Sequence, residues 1–262
     1  MLAALWGTVL VAWGAIAFGS GTVTLPWLCA PMASARDLTA ELQLVLALNS
    51  PGALAMGWIL MVSAMMPPII AEPLRHVRDR SFARRRGRAT ALFVAGYGAT
   101  WMLAGAILSP VAIVVHSTGL EPFPSLALAA LVVLAWQVSP AKQRFLNRCH
   151  HRPALAAFGA AADRDSFVFG LTQGASCVGT CWAIMLLSLL FTSNQLLTMG
   201  TAELFLLGER LERPTSPKWR LRGPNKSIRM VAAQLYQHLA HQSRGNTTSN
   251  TVKKSIVSAE RR

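Results

Sequence analysis

Five long stretches of the sequence contain no charged side chain, and the charged residues are gathered between them. The uncharged stretches cover residues 1–35, 42–71, 89–120, 122–141 and 166–202. A helix needs about 20 apolar residues to cross a bilayer core, so the first four stretches each accommodate one span. The fifth stretch is longer, and we interpret it as a fifth span followed by the beginning of a sixth span. The pattern predicts six transmembrane helices, at residues 2–19, 53–71, 90–115, 123–139, 167–190 and 196–211.

The positions of the basic residues predict how this bundle is oriented. The chain has 25 Lys and Arg residues against 11 Asp and Glu, a formal net charge of +14, yet only 14% of its residues are charged. Nearly all basic residues lie between the second and third helices, between the fourth and fifth, and from the end of the sixth helix onward. Positive charge in alternate loops marks the cytoplasmic side of a membrane protein. We therefore expect both termini to be cytoplasmic, and the charge to contact membrane lipids and not nucleic acid.

The predicted fold class is all-α, with two regions. Residues 1–212 form a polytopic transmembrane bundle of about six spans, and residues 213–262 form a basic cytoplasmic tail that is partly disordered because it is polar and of low complexity. Within the tail, apolar residues recur at helical spacing at Ile228, Val231, Leu235 and Leu239. This spacing predicts a short amphipathic helix on the membrane surface.

Sulfur side chains form a stripe on the fifth predicted helix. Cys177, Cys181 and Met185 follow one another at intervals of four residues, which places them on one helix face. Thiolate and thioether ligands select Cu(I) over harder ions, so the stripe predicts a copper site. The CxxxC spacing is not specific, however, and buried Cys and Met also act as ordinary packing residues.

A second sulfur stripe occupies the second predicted helix, which runs the opposite way across the membrane. Met61 and Met65 share one face, and Met66, which follows before two prolines, is a further candidate metal ligand. Met61 and Cys177 each lie ten residues from the cytoplasmic end of their helix, so both fall near mid-membrane at about 1.5 Å per residue. The two stripes are expected to face each other, with Met199 contributing from the sixth helix.

Two further candidate ligands lie nearer the predicted cytoplasmic surface. Cys149 lies in the basic loop after the fourth helix, followed by two histidines; this segment is either an intake or exit point for a metal, or a solvated loop. Glu209 ends the sixth helix beside Arg210. Its carboxylate is a candidate metal ligand, and the alternative is an anchoring ion pair with Arg210.

The chain resembles the bacterial family of predicted metal-binding integral membrane proteins, an uncharacterised domain family sometimes labelled copper chaperone-like. The resemblance covers most of residues 57–214. It is carried by these residues: Ala64-Met65-Met66-Pro67-Pro68, Pro73-Leu74-Arg75-His76-Val77, Gly96-Tyr97, Trp101, Trp136-Gln137, Ser139-Pro140, Lys142, Cys149, Cys177-Val178-Gly179-Thr180-Cys181-Trp182, Met185, Met199 and Glu209-Arg210.

The resemblance implies a helical bundle in the bacterial inner membrane with a sulfur-rich metal site. It implies nothing about turnover, and the sequence predicts no enzyme because it shows no Ser/His/Asp arrangement. Two positions depart from the family pattern. Phe145 stands where members commonly have Cys, and Thr180 replaces one of two adjacent Cys residues, so fewer thiolates are available here.

The preferred hypothesis is a membrane protein that binds Cu(I) for handling or delivery to a metalloprotein or oxidase partner. Cys177 and Cys181 are the predicted core ligands, with the thioethers of Met61, Met65, Met185 and Met199 as partners. Two alternatives stay open at this point. One is a membrane thiol–disulfide electron carrier that uses Cys177 with Cys181 or Cys149; the other is a non-catalytic scaffold whose methionines only pack.

Overall fold

The computed structural model describes residues 2–19, 51–117, 122–190 and 195–220, with residues 223 and 229. All regular structure in these ranges is helical, which confirms the all-α prediction. The helices are α1 (Leu2–Gly19), α2 (Pro51–Met65), α3 (Pro67–Asp79), a 3-10 turn (Ala83–Arg85), α4 (Arg86–Ser117), α5 (Pro122–Val138), α6 (Pro140–Cys149), α7 (Gly159–Leu190) and α8 (Gln195–Arg210). Most of the predicted tail, including its amphipathic helix, lies outside the described residues.

Each predicted span contains a helix, but the helices differ in their ability to cross a bilayer. Among the described residues, the stretches Ala83–Val115 and Gly159–Leu190 are long and apolar enough. A third candidate is the pair Leu54–Met65 and Pro67–Asp79. The helices α1, α5 and α8 have 18, 17 and 16 residues. The structure therefore supports two or three spans by length and composition, and the count of six stays a prediction.

The second predicted span is not one straight helix. It breaks at Met66, and the axes on either side differ by 72°. Pro67 causes the break, since proline has no N–H to donate and its ring clashes with the carbonyl group one turn earlier. The amide groups of Ile69 and Ile70 instead bond to the carbonyl oxygen of Met66. The break leaves the Met66 side chain at the corner between α2 and α3.

Helices α4 and α7 form the most extensive pairing in the described structure, and they run parallel. Gly170 lies against the carbonyl oxygen of Phe93, and Gly174 lies against Thr100. Residue numbers thus increase together along the two helices. A Cβ atom at Gly170 would collide with the α4 backbone, so Gly170 and Gly174 form a small-residue face that allows close helix packing.

The basic segment after the fourth predicted span contains a helix, α6, and is not simply a solvated loop. Pro140 occupies its first turn, and the Ser139 hydroxyl caps it by accepting a bond from the Lys142 amide. The helix packs on α7, and its last residue, Cys149, is buried. The interpretation of Cys149 as part of a surface loop is therefore wrong, because α6 folds back onto the bundle.

Candidate metal centre

The core of the bundle brings sulfur atoms from two elements into contact. The Sγ atom of Cys177, in the middle of α7, lies 3.9 Å from the Sδ atom of Met66 at the α2–α3 corner. Both side chains are at most 2% exposed. The phenol of Tyr97 on α4 donates a hydrogen bond to the same Cys177 sulfur atom at 3.2 Å. Cys177 is therefore held between a thioether and a hydroxyl donor.

Cys181 lies one turn further along α7 and its side chain interacts with that of Cys177. Its thiol donates to the carbonyl oxygen of Cys177 at 2.7 Å, a back-bond that is typical of a small polar side chain within a helix. We refer to Met66, Cys177 and Cys181 as the sulfur cluster. All three described cysteines, including Cys149, are free thiols.

Cys149 adds a third thiol beside this cluster. It is 1% exposed, and its side chain interacts with those of Thr180 and Cys177. Burial raises the pKa of the Cys149 thiol to about 12, with an opposing effect from the nearby Arg210 guanidinium. Thr180 of α7 is thus a neighbour of Cys149.

Glu209 and Arg210, adjacent in sequence, have different partners. Glu209 is 4% exposed and forms an ion pair with Lys142 of α6, with a distance of 2.6 Å from Nζ to Oε2. The amide group of Gln137 donates to the other carboxylate oxygen and accepts from Lys142. Burial lowers the pKa of Lys142, and the charge of Glu209 partly opposes this effect. Both oxygens of Glu209 are thus occupied, and its predicted role as a metal ligand stays a prediction.

Arg210 is directed toward the cysteines. Its guanidinium charge acts on Cys177, on Cys149 and on Tyr97. The Nη2 atom is buried and has no hydrogen-bond partner within the described part of the chain. Consecutive residues on a helix point about 100° apart, so the turn that sends Glu209 to α6 sends Arg210 to α3 and α7.

A cavity of about 350 Å³ lies beside Cys149, between α3, the end of α6 and the end of α8. Cys149, His150, Arg152 and Arg210 contribute to its wall. Burial lowers the pKa of His150, and the charges of Arg210 and Arg152 add to the effect. Its Nε2 atom is a second buried polar atom for which the described residues offer no partner.

The remaining predicted thioethers are buried in the same core as the sulfur cluster. Met61, Met65, Met185 and Met199 are each at most 3% exposed. The structure thus accounts for them as packing residues, and metal ligation by them stays a prediction. Among the described residues, no group of three or more His, Cys, Asp or Glu side chains is arranged to hold a metal ion.

Sequence reasoning did not assign two residues that contact the cluster, Tyr97 and Arg210. A signal existed for Tyr97, since a tyrosine within an uncharged span needs a buried hydrogen-bond partner. For Arg210, the sequence suggested an ion pair with the adjacent Glu209. This ion pair is excluded only by the different directions of the two side chains on α8, described above.

The model of the family described as PpoB2, copper chaperone, matches residues 55–225. This range contains the sulfur cluster, Cys149 and the adjoining cavity. No curated protein and no solved structure matches the chain.

Proposed function

The chain belongs to the PpoB2 copper chaperone family, and on that premise we propose that it binds Cu(I) at the sulfur cluster within a six-span bundle of the bacterial inner membrane. Cys177 and Cys181 supply thiolates and Met66 supplies a thioether. The bound ion is cargo, which the protein delivers to a metalloprotein or oxidase partner. Cys149 lies between this cluster and the cavity and is the thiol that the ion meets first.

The contact between Cys177 and Met66 carries the proposal. Zinc–sulfur bonds of about 2.3 Å in tetrahedral geometry hold two sulfur atoms about 3.8 Å apart, so the observed thiol-to-thioether contact of 3.9 Å leaves both atoms near enough to bind one ion. A thiolate with a thioether is a soft donor set that suits Cu(I). Copper(I) accepts few ligands, so the lack of a larger group of His, Cys, Asp or Glu side chains in the described ranges does not count against it.

The outer surface of the bundle supports its location in a membrane. Large apolar side chains are exposed on α1, α4, α5 and α8, including Leu10, Leu103, Leu131 and Leu204 at 61–71% exposure. Extended apolar surface of this kind needs a lipid or protein neighbour. The parallel arrangement of α4 and α7 agrees with the proposed topology, in which the third and fifth spans both begin on the cytoplasmic side.

A Cu(I) titration of the purified protein against a chromogenic Cu(I) chelator tests this proposal. We expect Cys177→Ser to weaken Cu(I) binding by about 100-fold and Met66→Leu by about tenfold, which correspond to roughly 2.7 and 1.4 kcal/mol. Met199→Leu is the matched control, because Met199 is equally buried in the same core and a Met-to-Leu change keeps its volume. Unchanged affinity in Cys177→Ser, or equal losses in the two methionine variants, would overturn the assignment.

A further inference from the structure

A second cavity, which we call the basic cavity, lies between α6, the ends of α5 and α8, and the segment that follows α8. Its volume is about 300 Å³. Among the residues that the structure describes, four basic and two acidic side chains line it: Lys142, Arg213, Lys218 and Arg220, with Glu209 and Glu212. The basic cavity therefore has a surplus of two positive charges.

This surplus lies at the rim of the basic cavity and not on its floor. On the floor, Lys142 and Glu209 form an ion pair at 2.6 Å, and Gln137 is bonded to both. The two buried charges therefore compensate each other. The half-buried Glu212 offsets one further positive charge at the rim. The rim carries three exposed basic residues: Arg213, Lys218 and Arg220.

Hydrogen bonds fix the segment after α8 over this cavity. The side chain of Asn147 on α6 donates to the carbonyl oxygen of Thr215 at 2.8 Å and accepts from the Thr215 amide at 3.3 Å. Five residues later, the Arg220 amide donates to the carbonyl oxygen of Val138, the last residue of α5, at 3.2 Å. The stretch between these two attachment points contains Lys218, so its charge is held at the rim.

Apolar surface reaches the basic cavity from the side of the bundle. Leu134 precedes Gln137 of the floor by three residues, which places both on one face of α5, and its side chain is 53% exposed. Trp219, between the two basic residues of the rim, is 72% exposed. Tryptophan is typical of the boundary between the hydrocarbon core and the aqueous phase. A ligand with an anionic head and an apolar body matches this arrangement of charge and apolar surface.

We propose that the basic cavity binds the phosphate-bearing headgroup of an anionic phospholipid, whose acyl chains lie along α5. Basic pockets at the cytoplasmic end of membrane helices bind acidic headgroups in this way, and arginine pairs with phosphate through two parallel hydrogen bonds. A volume at the lower end of the range for small-molecule pockets, about 300–1,000 Å³, accommodates a headgroup and not a whole lipid. The inference rests on the proposed membrane location and is independent of copper binding.

Lipid titrations of the full-length protein in neutral detergent, followed by native mass spectrometry, test this inference. We expect one phosphatidylglycerol to bind at least about tenfold more tightly than phosphatidylcholine. The double variant Lys218→Gln/Arg220→Gln should weaken phosphatidylglycerol binding by about 20-fold, since each basic side chain near an anionic headgroup contributes a factor of about five. The bond from the Arg220 amide to Val138 is retained, because only the side chain changes.

Arg75→Gln/Arg80→Gln is the matched control, because it removes the same two charges from exposed positions that do not line the basic cavity. Equal affinity for the two lipids, or equal losses in the two double variants, would overturn the inference. Displacement of the lipid by inorganic phosphate at similar concentrations would also overturn it, since the ligand would then be a free phosphate. Lys218→Gln/Arg220→Gln should bind Cu(I) as the wild type does, so a negative lipid result leaves the copper proposal standing. Absence of the protein from the membrane fraction of cells would instead overturn the proposed location.

Discussion

Two neighbouring residues, Glu209 and Arg210, show how helix rotation separates side chains that the sequence places together. Glu209 is bonded to Lys142 and Gln137 on one side of α8, and the charge of Arg210 acts on the cysteines on the other. The two charged side chains therefore interact with different parts of the bundle. The Glu209 pair fixes α8 against α6, and Arg210 provides the positive charge beside the sulfur cluster.

Removal of one member of the Lys142–Glu209 pair should strongly destabilise the folded protein, and removal of both members should destabilise it much less. We expect Lys142→Met to lower the free energy of unfolding by about 3–5 kcal/mol, because it leaves the Glu209 carboxylate buried without its counter-charge. The double variant Lys142→Met/Glu209→Leu should recover most of this loss. Unfolding curves of the purified protein in detergent measure both values; additive losses in the double variant would contradict the interpretation.

At the residue scale, the sequence indicated the stripe of Cys177 and Cys181 because helical spacing alone determines which residues share a face. It could not indicate that the Met66 thioether contacts Cys177. The depth estimate assumed a straight second span, and the break at Pro67 moves Met66 to the corner beside α7. Contacts that depend on tertiary geometry, such as that of Tyr97 with Cys177, were likewise beyond the sequence pattern.

At the scale of elements, the close pairing of α4 and α7 positions the cluster. Tyr97 and Cys177 meet across this interface, and glycines on both helices allow the approach. A Cβ atom at Gly96 would collide with the carbonyl oxygen of Phe167, and one at Gly170 with that of Phe93. The spacing of Gly170 and Gly174 places both on one face of α7, but the sequence does not indicate which helix packs against that face.

Two glycines of α4 allow a matched test of this interface. We expect Gly96→Ala to lower the unfolding free energy by about 1–3 kcal/mol, because the new methyl group meets backbone atoms of α7 that cannot move aside. Gly98→Ala is the control, since nothing lies within 4 Å of its added Cβ atom. Alanine is the better helix former by about 1 kcal/mol, so the control should be neutral or stabilised. Equal losses in both variants, measured by detergent unfolding, would contradict the close packing.

At the scale of the whole molecule, the charged ends of several helices converge. Asp163, near the start of α7, pairs with Arg85 at 2.8 Å and with Arg88 at 2.7 Å, at the start of α4. Glu72 of α3 pairs with Arg152, which follows α6. The basic segments that the sequence assigns to the cytoplasm therefore form one connected end of the described structure, although they are separated by apolar helices along the chain.

This convergence leads to a prediction for reporter fusions in bacterial cells. A phosphatase that is active only outside the cytoplasm should be active when fused after Ser117, at the end of α4, and inactive when fused after Arg152 or Arg220. A fluorescent protein that folds only in the cytoplasm should give the opposite pattern, because positive charge holds its flanking segments inside.

Replacement of Arg84, Arg85, Arg86 and Arg88 by neutral residues should raise phosphatase activity of the Arg152 fusion, while the same number of neutral-for-neutral changes in α4 serves as the control. Phosphatase activity of comparable strength at Ser117 and Arg152 in the unaltered chain would exclude a membrane crossing by α5, which lies between these two sites, and with it the six-span topology.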